Sequence, residues 1–326
     1  MPACLSTTQQ RIDRAATPLP GGEPYENLRP VPIPASHHLR PLVEVLIERF
    51  PQVSPAEWVA RCAAGRFIGR AGRVFAAADR LAAGERVMQR FPDFLEPPVS
   101  VDIRMVYEDE AILVIDKPAP LPMHPSGRFN RNTLQHILQL ALAPAAPLAL
   151  HRLDANTTGL VVFAQNRRCC RHLQQQFLAG AVEKHYRVRV AGQPEEERFT
   201  ITAPISSKPG VTGTHRVDEA AGRAALTEFR VLRRLPDGTA LLEARLATGR
   251  TNQIRVHLWQ AGHPVCGDPA YLPGGGIGGV QTLSLAAPPL QLHARRLAFR
   301  HPDDNRPLEF VSGRQPEWGE ETSSGI

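Results

Sequence analysis

HRLDANTTGLVV, His151 to Val162, places an arginine and an acid just ahead of an apolar run. Gly159 opens Leu160, Val161, Val162 and Phe163, a short continuous apolar segment that reads as a buried strand. A carboxylate at the mouth of such a strand is costly unless it is paired, so Asp154 needs a partner or a chemical task. From these residues alone it is open whether that task is nucleophile, general base, metal ligand or structural partner of a nearby arginine.

Working outward, Ala111 to Ile115 is a second continuous apolar run, closed by Asp-Lys-Pro, and also reads as a buried strand. Thr133 predicts a helix carrying Leu134, Ile137, Leu138 and Ala141. Cys169 to Leu178 predicts another, with Gly180 as its stop. HYRVRV (185–190) alternates, which puts Tyr186, Val188 and Val190 on the apolar side. Ala240 to Leu246 alternates too, and Thr251 is the expected cap of a helix containing Ile254, Leu258 and Ala261. Strands outnumber helices without a βαβ rhythm, so the expected fold class is α+β, with a mixed, mostly antiparallel sheet flanked by helices.

Residues 1–40 are rich in Pro and Gly, show no period and predict a flexible arm. Pro41 to Phe91 has a different texture. LVEVLIERF is amphipathic, and Ser54-Pro55-Ala56-Glu57 is a helix start. Arg61, Arg66, Arg70 and Arg73 crowd the end of that helix and the turn after it. This stretch, 41–92, reads as a small α/β appendage that binds RNA. A proline-marked linker follows, the main domain spans 101–315, and 316–326 is an expected flexible tail.

The chain has 326 residues, with 42% hydrophobic and 21% charged, as in ordinary globular proteins. No apolar run approaches the roughly 20 residues of a membrane helix. The start lacks the apolar core of a secretion signal, so the cytoplasm is the default compartment. Five cysteines without a CxxC pair exclude a disulfide framework and a zinc ribbon. The net charge of +6 and a pI near 9.4 permit a polyanionic partner. Twelve histidines form no HExxH, and no GxGxxG or GxSxG stands in the right context. PGGGIGGV (273–280) lacks the Lys-Ser/Thr of a phosphate loop. No metal and no cofactor are expected.

Two residues stand out beside Asp154. Arg255, in TGRTNQIRVHL, falls in the first turn of its helix, where the dipole disfavours a cation by about 0.3–1 kcal/mol. A carboxylate reaching the same spot would offset that, and an acid so paired stays ionised, as a nucleophile requires. Tyr186, on an apolar face, needs a partner for its hydroxyl unless it lines a cavity, where it could stack on a planar substrate.

Together the segments resemble the RluA family of RNA pseudouridine synthases. VYEDEAILVIDKPAPLPMHPSG (106–127) is similar to its opening strand and Lys-Pro turn, and HRLDANTTGLVVFAQN (151–166) to its catalytic-aspartate motif. VEKHYRVRV (182–190) is similar to its tyrosine motif, LATGRTNQIRVHLWQAGHPVCGDPAY (246–271) to its arginine motif and Gly-Asp turn, and LQLHARRLAFRHP (290–302) to its closing strand. The resemblance implies that Asp154 is the nucleophile, that Tyr186 packs on the uracil ring and that Arg255 pairs with Asp154. It implies that Arg152 enters the RNA stack where the base has been extruded, and that Lys117, Pro118, Ile254 and Leu258 shape the pocket. Thr158 stands where the family more often has Ser, and Asn252 where it more often has His. Residues 41–92 resemble a degenerate S4-like domain.

Pseudouridine formation is an isomerisation, which agrees with the missing cofactor motifs. HPSGRFNRNT (124–133) and VEKHY are similar to the branch that modifies tRNA, within a substrate class of tRNA or rRNA. SSKPGVTGTHR (206–216) is a candidate finger over the RNA, with Arg216 a candidate phosphate contact. No membrane and no obligate protein partner are expected, and the default state is a monomer. The rival readings are a catalytically silent RNA-binding protein of the same fold and a metal-dependent RNA hydrolase.

Overall fold

The apolar run after Gly159 forms a strand near the middle of a large sheet, and the computed structural model describes residues 2–210, 213–316 and 318 around it. The chain forms two compact units, one of Gly21–Glu96 and one of the described residues of Met1–Pro20 and Pro97–Ile326.

The first 40 residues correct the expected arm. Pro2–Ala16 is a helix, α1, and Ile12 and Ala16 are buried in the core of the larger unit. The Gln9 side chain donates to the Ile103 carbonyl at 2.8 Å and accepts from the Met105 N–H at 2.7 Å, so it caps exposed strand backbone. The helix was invisible as a pattern because its buried seam is only one or two residues wide. Tyr25–Val31 is a strand, β1, and its Pro30 is tolerated because β1 lies at the edge of its sheet.

In the smaller unit, helices α2 (Leu42–Arg49) and α3 (Pro55–Ala63) precede strands β2 (Phe67–Ile68) and β3 (Val87–Phe94), and the strand order is β1-β3-β2. The Ser54 hydroxyl accepts the Glu57 N–H at 3.2 Å, capping α3. Leu42, Val45, Leu46, Trp58, Cys62, Phe67 and Phe75 form its core.

The larger unit contains β4 (Arg104–Glu108), β5 (Ile112–Lys117), α4 (Leu134–Ala141), β6 (Leu148–Ala149), β7 (Thr158–Ala164), α5 (Arg167–Leu178) and β8 (Glu183–Ala191). It continues through β9 (Arg198–Ile201), β10 (Thr227–Arg234), β11 (Thr239–Leu246), α6 (Gln253–Gln260), β12 (Leu292–Arg300) and β13 (Pro307–Val311). The sheet order is β4-β5-β7-β12-β8-β11-β10-β9, with β13 beside β12 and β6 beside β7. Neighbours are antiparallel except β7 and β12, which are parallel. This is the mixed, mostly antiparallel α+β sheet expected from the sequence.

Burial explains the two kinds of strand pattern. Leu113, Ile115, Val161 and Phe163 face a core shared with α1, α4 and α6, while Ile112, Val114, Leu160 and Val162 face a second core under α5. A strand covered on both faces must be apolar throughout, as β5 and β7 are. In β8 Tyr186, Val188 and Val190 are buried and the residues between them are not, so it alternates.

Among the described strands, β12 is what joins the β4-β5-β7 half to the β8-β11-β10-β9 half. At the seam Ala294 pairs with Gly159. Gly159 has φ +115°, and a Cβ there would lie 2.3 Å from the Ala294 carbonyl oxygen. Only glycine allows this approach.

Candidate active site

Asp154 sits in the loop that leads into β7, and that loop is held from below. The Ala155 carbonyl accepts the Leu121 N–H at 2.8 Å and the Lys117 ammonium at 3.2 Å. The buried Asn156 side chain donates to the Gln281 carbonyl at 2.8 Å and accepts the Leu283 N–H at 3.0 Å. One residue further, the Thr157 N–H closes a turn onto the Asp154 carbonyl at 3.0 Å. The carboxylate is thus carried on fixed backbone and is itself 21% exposed.

Its partner comes from the other half of the sheet. Arg255 Nη1 donates to Asp154 Oδ2 at 2.9 Å. The rest of the guanidinium is taken by a residue that sequence reasoning missed: Nε and Nη2 donate to the two oxygens of Asp268 at 2.7 and 2.8 Å. The Asp268 side chain is fully buried, and one of its oxygens also accepts the Ala270 and Tyr271 N–H groups. A signal was present in the Gly-Asp turn. Gly267 has φ +72°, and a Cβ there would meet the Pro289 carbonyl at 2.2 Å, so the turn that aims Asp268 admits only glycine. Burial works against the Arg255 charge, but the hydrogen bonds and charges of Asp268 and Asp154 outweigh it and hold its pKa above the usual arginine range.

The helix that carries Arg255 starts differently from expectation. Thr251 does not cap it. Asn252 is the cap residue, in the left-handed region at φ 57°, and its side chain does not cap the helix. Instead the amide oxygen accepts from Arg255 Nη1 at 3.2 Å and the amide nitrogen donates to the Tyr271 hydroxyl at 3.0 Å. Tyr271 is buried, stacks under the guanidinium at 5.0 Å, and its hydroxyl bonds both the N–H and the carbonyl of His215. Asn252 accepts this backbone because its short amide suits that region.

Asp154, Arg255, Tyr186, Arg152 and Ile254 line one cavity of about 670 Å³. Tyr186 is 7% exposed, and its hydroxyl has no hydrogen-bond partner among the described residues. Burial and the Asp154 charge both push its phenol above the usual range, so it stays protonated. A smaller hollow of about 120 Å³, edged by Met123 and His124, shares Arg152, Asp154 and Arg255 with the first. Arg152 is exposed at the rim of both. Among the described residues no three His, Cys, Asp or Glu side chains gather as a metal site would require.

Three residues expected to shape the pocket line neither hollow. Leu258 is fully buried in the core. Lys117 is also fully buried, and its ammonium donates to the carbonyls of Pro118, Leu121 and Ala155. With Pro118 it builds the floor under the Asp154 loop rather than a wall. Arg216 is exposed and lies outside both hollows, next to the latched His215. In the smaller unit Arg61 pairs with Glu57 and covers the Trp58 ring at 4.8 Å, which removes it from the free cations. Arg73 is paired with Glu85. Arg66 opens onto a hollow of about 310 Å³ with Phe91 and Phe94, and Arg70 is exposed.

The model of the family described as RNA pseudouridylate synthase matches residues 111–260. An uncharacterized RNA pseudouridine synthase of Aquifex aeolicus is 37% identical over 243 residues, 71% of this chain and 76% of that one. Ribosomal large subunit pseudouridine synthase D of Nitrosomonas europaea is 36% identical, over 65% of this chain and 62% of its own. Among solved structures, human RNA pseudouridylate synthase domain containing 1 superposes with a TM-score of 0.54 at 26% identity, covering 67% of this chain and 86% of that one. Fold and sequence define an isomerase that works on RNA. The chain belongs to the RluA family of RNA pseudouridine synthases.

Proposed function

We propose that this chain isomerises uridine to pseudouridine in a structured RNA, with Asp154 as the nucleophile. The observation that carries the assignment is the 2.9 Å contact between Asp154 and Arg255 on the wall of a cavity that also holds the Tyr186 ring.

In the reaction the N1–C1′ bond of the target breaks, the freed uracil turns, and a C5–C1′ bond forms. The proton lost from C5 is balanced by one gained at N1, so no co-reactant is consumed. Asp154 supplies the attacking oxygen, and Arg255, itself fixed by Asp268, orients it. The target must leave its stack, at a cost of a few kcal/mol. Tyr186 offsets part of that cost by packing on the uracil, and Arg152, exposed at the rim, by filling the vacated gap.

The substrate is of ribosomal or transfer class. The ribosomal names of relatives in Nitrosomonas europaea and Pseudomonas aeruginosa support the first. The smaller unit serves as an additional RNA contact through Arg66 and Arg70. The test is pseudouridine mapping of tRNA and rRNA from a strain lacking the gene. Defined uridines should lose the modification, the native gene should restore it, and Asp154→Asn should bind RNA without restoring it. Full restoration by Asp154→Asn would remove the nucleophile assignment.

A further inference from the structure

We propose that Lys184, Arg223 and Arg250 form a phosphate-binding rail on one wall of the Asp154 cavity and hold the RNA backbone beside the everted uridine. This rests on the RNA reading of the site above, and it gives a role to Arg223, outside the family motifs, and to Lys184 and Arg250, which lie within them with no role of their own.

The three cations come from separate parts of the chain and converge on one turn, Thr248–Arg250. Lys184, on β8, reaches the Thr248 carbonyl at 3.5 Å, and its Nζ lies 3.8 Å from where a Cβ on Gly249 would be. Arg250 donates from Nε to the Ala224 carbonyl at 2.9 Å, which brings it beside Arg223. All three line the same cavity as Asp154, Arg255 and Arg152. Asp154 is the single acid on that wall, and Arg255 already occupies it.

None of the three has a carboxylate within 4.0 Å among the described residues. Other basic side chains of the same sheet are paired off: Arg230 with Glu243, Arg245 with Glu228, Arg296 with Glu309. Cations left close together without acids repel one another, and the repulsion grows as water is removed. Burial pushes the Lys184 ammonium down, and burial together with the Arg223 charge pushes Arg250 down. A polyanion threading the cavity relieves all three at once.

The turn they share is built to hold position. Gln253 is 3% exposed, and its amide oxygen accepts the Arg250 N–H at 3.0 Å and the Thr248 hydroxyl at 2.8 Å. Its amide nitrogen donates to the Leu226 carbonyl and the Thr227 hydroxyl, each at 2.9 Å. Gly249 presents bare backbone between the cations, so nothing but a hydrogen projects where a phosphate would approach.

The test is the salt dependence of binding to a synthetic RNA stem-loop with unpaired uridines, measured by fluorescence anisotropy. Each phosphate contact adds about 0.7–0.9 to the slope of log K against log salt. Lys184→Gln, Arg223→Gln and Arg250→Gln should each lower the slope by about that much, and the triple variant by about 2–3. Arg250→Lys should keep the native slope, which a purely structural loss would not allow. Arg230→Gln, paired with Glu243, should leave it unchanged. An unchanged slope in Arg223→Gln, an exposed side chain whose loss does not threaten folding, overturns the rail. Pseudouridine formation by the native protein is read separately. Native activity with unchanged slopes sinks the rail alone, while no native activity with lowered slopes sinks the catalytic reading and keeps the rail.

Discussion

Asp268 takes two hydrogen bonds from Arg255 and Asp154 takes one, although the sequence draws attention to Asp154. The two acids therefore divide the work. Asp268, fully buried, compensates the guanidinium, and Asp154, one-fifth exposed, is left facing the cavity.

The first prediction separates them by thermal melt. Removing one partner of a buried ion pair costs about 3–5 kcal/mol. Asp268→Asn should lower the melting temperature by roughly 10 °C and reduce activity with it. Asp154→Asn should melt within a few degrees of the native protein, as expected for a partly exposed partner whose cation keeps Asp268, and yet make no pseudouridine. Equal melts for the two variants would contradict this division.

Lys117 predicts a pH dependence. Burial pushes its ammonium down to about 7, against the opposing pull of the Asp154 charge. In the unfolded chain the same group holds its proton until about 10.4. Between those values the unfolded state binds more protons, so stability should rise with pH from about 7 towards 10. Below that window the penalty of the buried charge is fully present. Lys117→Met removes the titration, so its melting temperature relative to the native protein should fall as pH rises from 7 to 10. A difference that stays flat across that window would show that the ammonium is not strained by burial.

Gly159→Ala should prevent the halves of the sheet from joining. The added Cβ would meet the Ala294 carbonyl at 2.3 Å, on backbone already at a positive φ. The expected outcome is insoluble or largely unfolded protein on expression, read by sedimentation and circular dichroism. A soluble variant with native activity would show that β7 and β12 can part at little cost.

Helix α1 should carry stability. Ile12 is fully buried among residues of the catalytic unit, so Ile12→Ala should cost about 2–5 kcal/mol in a denaturant melt. An unchanged midpoint would restore the view of residues 1–40 as an arm.

Local chemistry was legible and long-range pairing was not. Asp154, Arg255 and Tyr186 could be found because each is anomalous where it stands: an acid before a buried run, a cation in a first helical turn, a phenol on an apolar face. Asp268 stands in a turn, where acids are ordinary; Gly267 marks that turn in the sequence, and the burial of Arg255 reveals that a second carboxylate is needed there. Asn252 and Tyr271 act through a contact with His215, 56 residues from Tyr271 in sequence, and no local pattern reports that. The family resemblance implies a pocket role for Lys117, but its three donors meet three carbonyls, which only the fold brings together. Helix α1 escaped notice because one buried isoleucine and one alanine do not make a periodic stripe.

The position of β12 bears on when this protein can first work. Asp154 belongs to the half of the sheet built from earlier residues, Tyr186 and Arg255 to the other half, and the strand that sews them together, β12, follows all three in the chain. A ribosome that has made 290 residues has already supplied all three of these side chains, but not the stitch that brings them to one cavity. The nascent chain therefore stays inert until β12 has been made, and premature stops upstream of Leu292 should yield fragments that no added RNA can rescue.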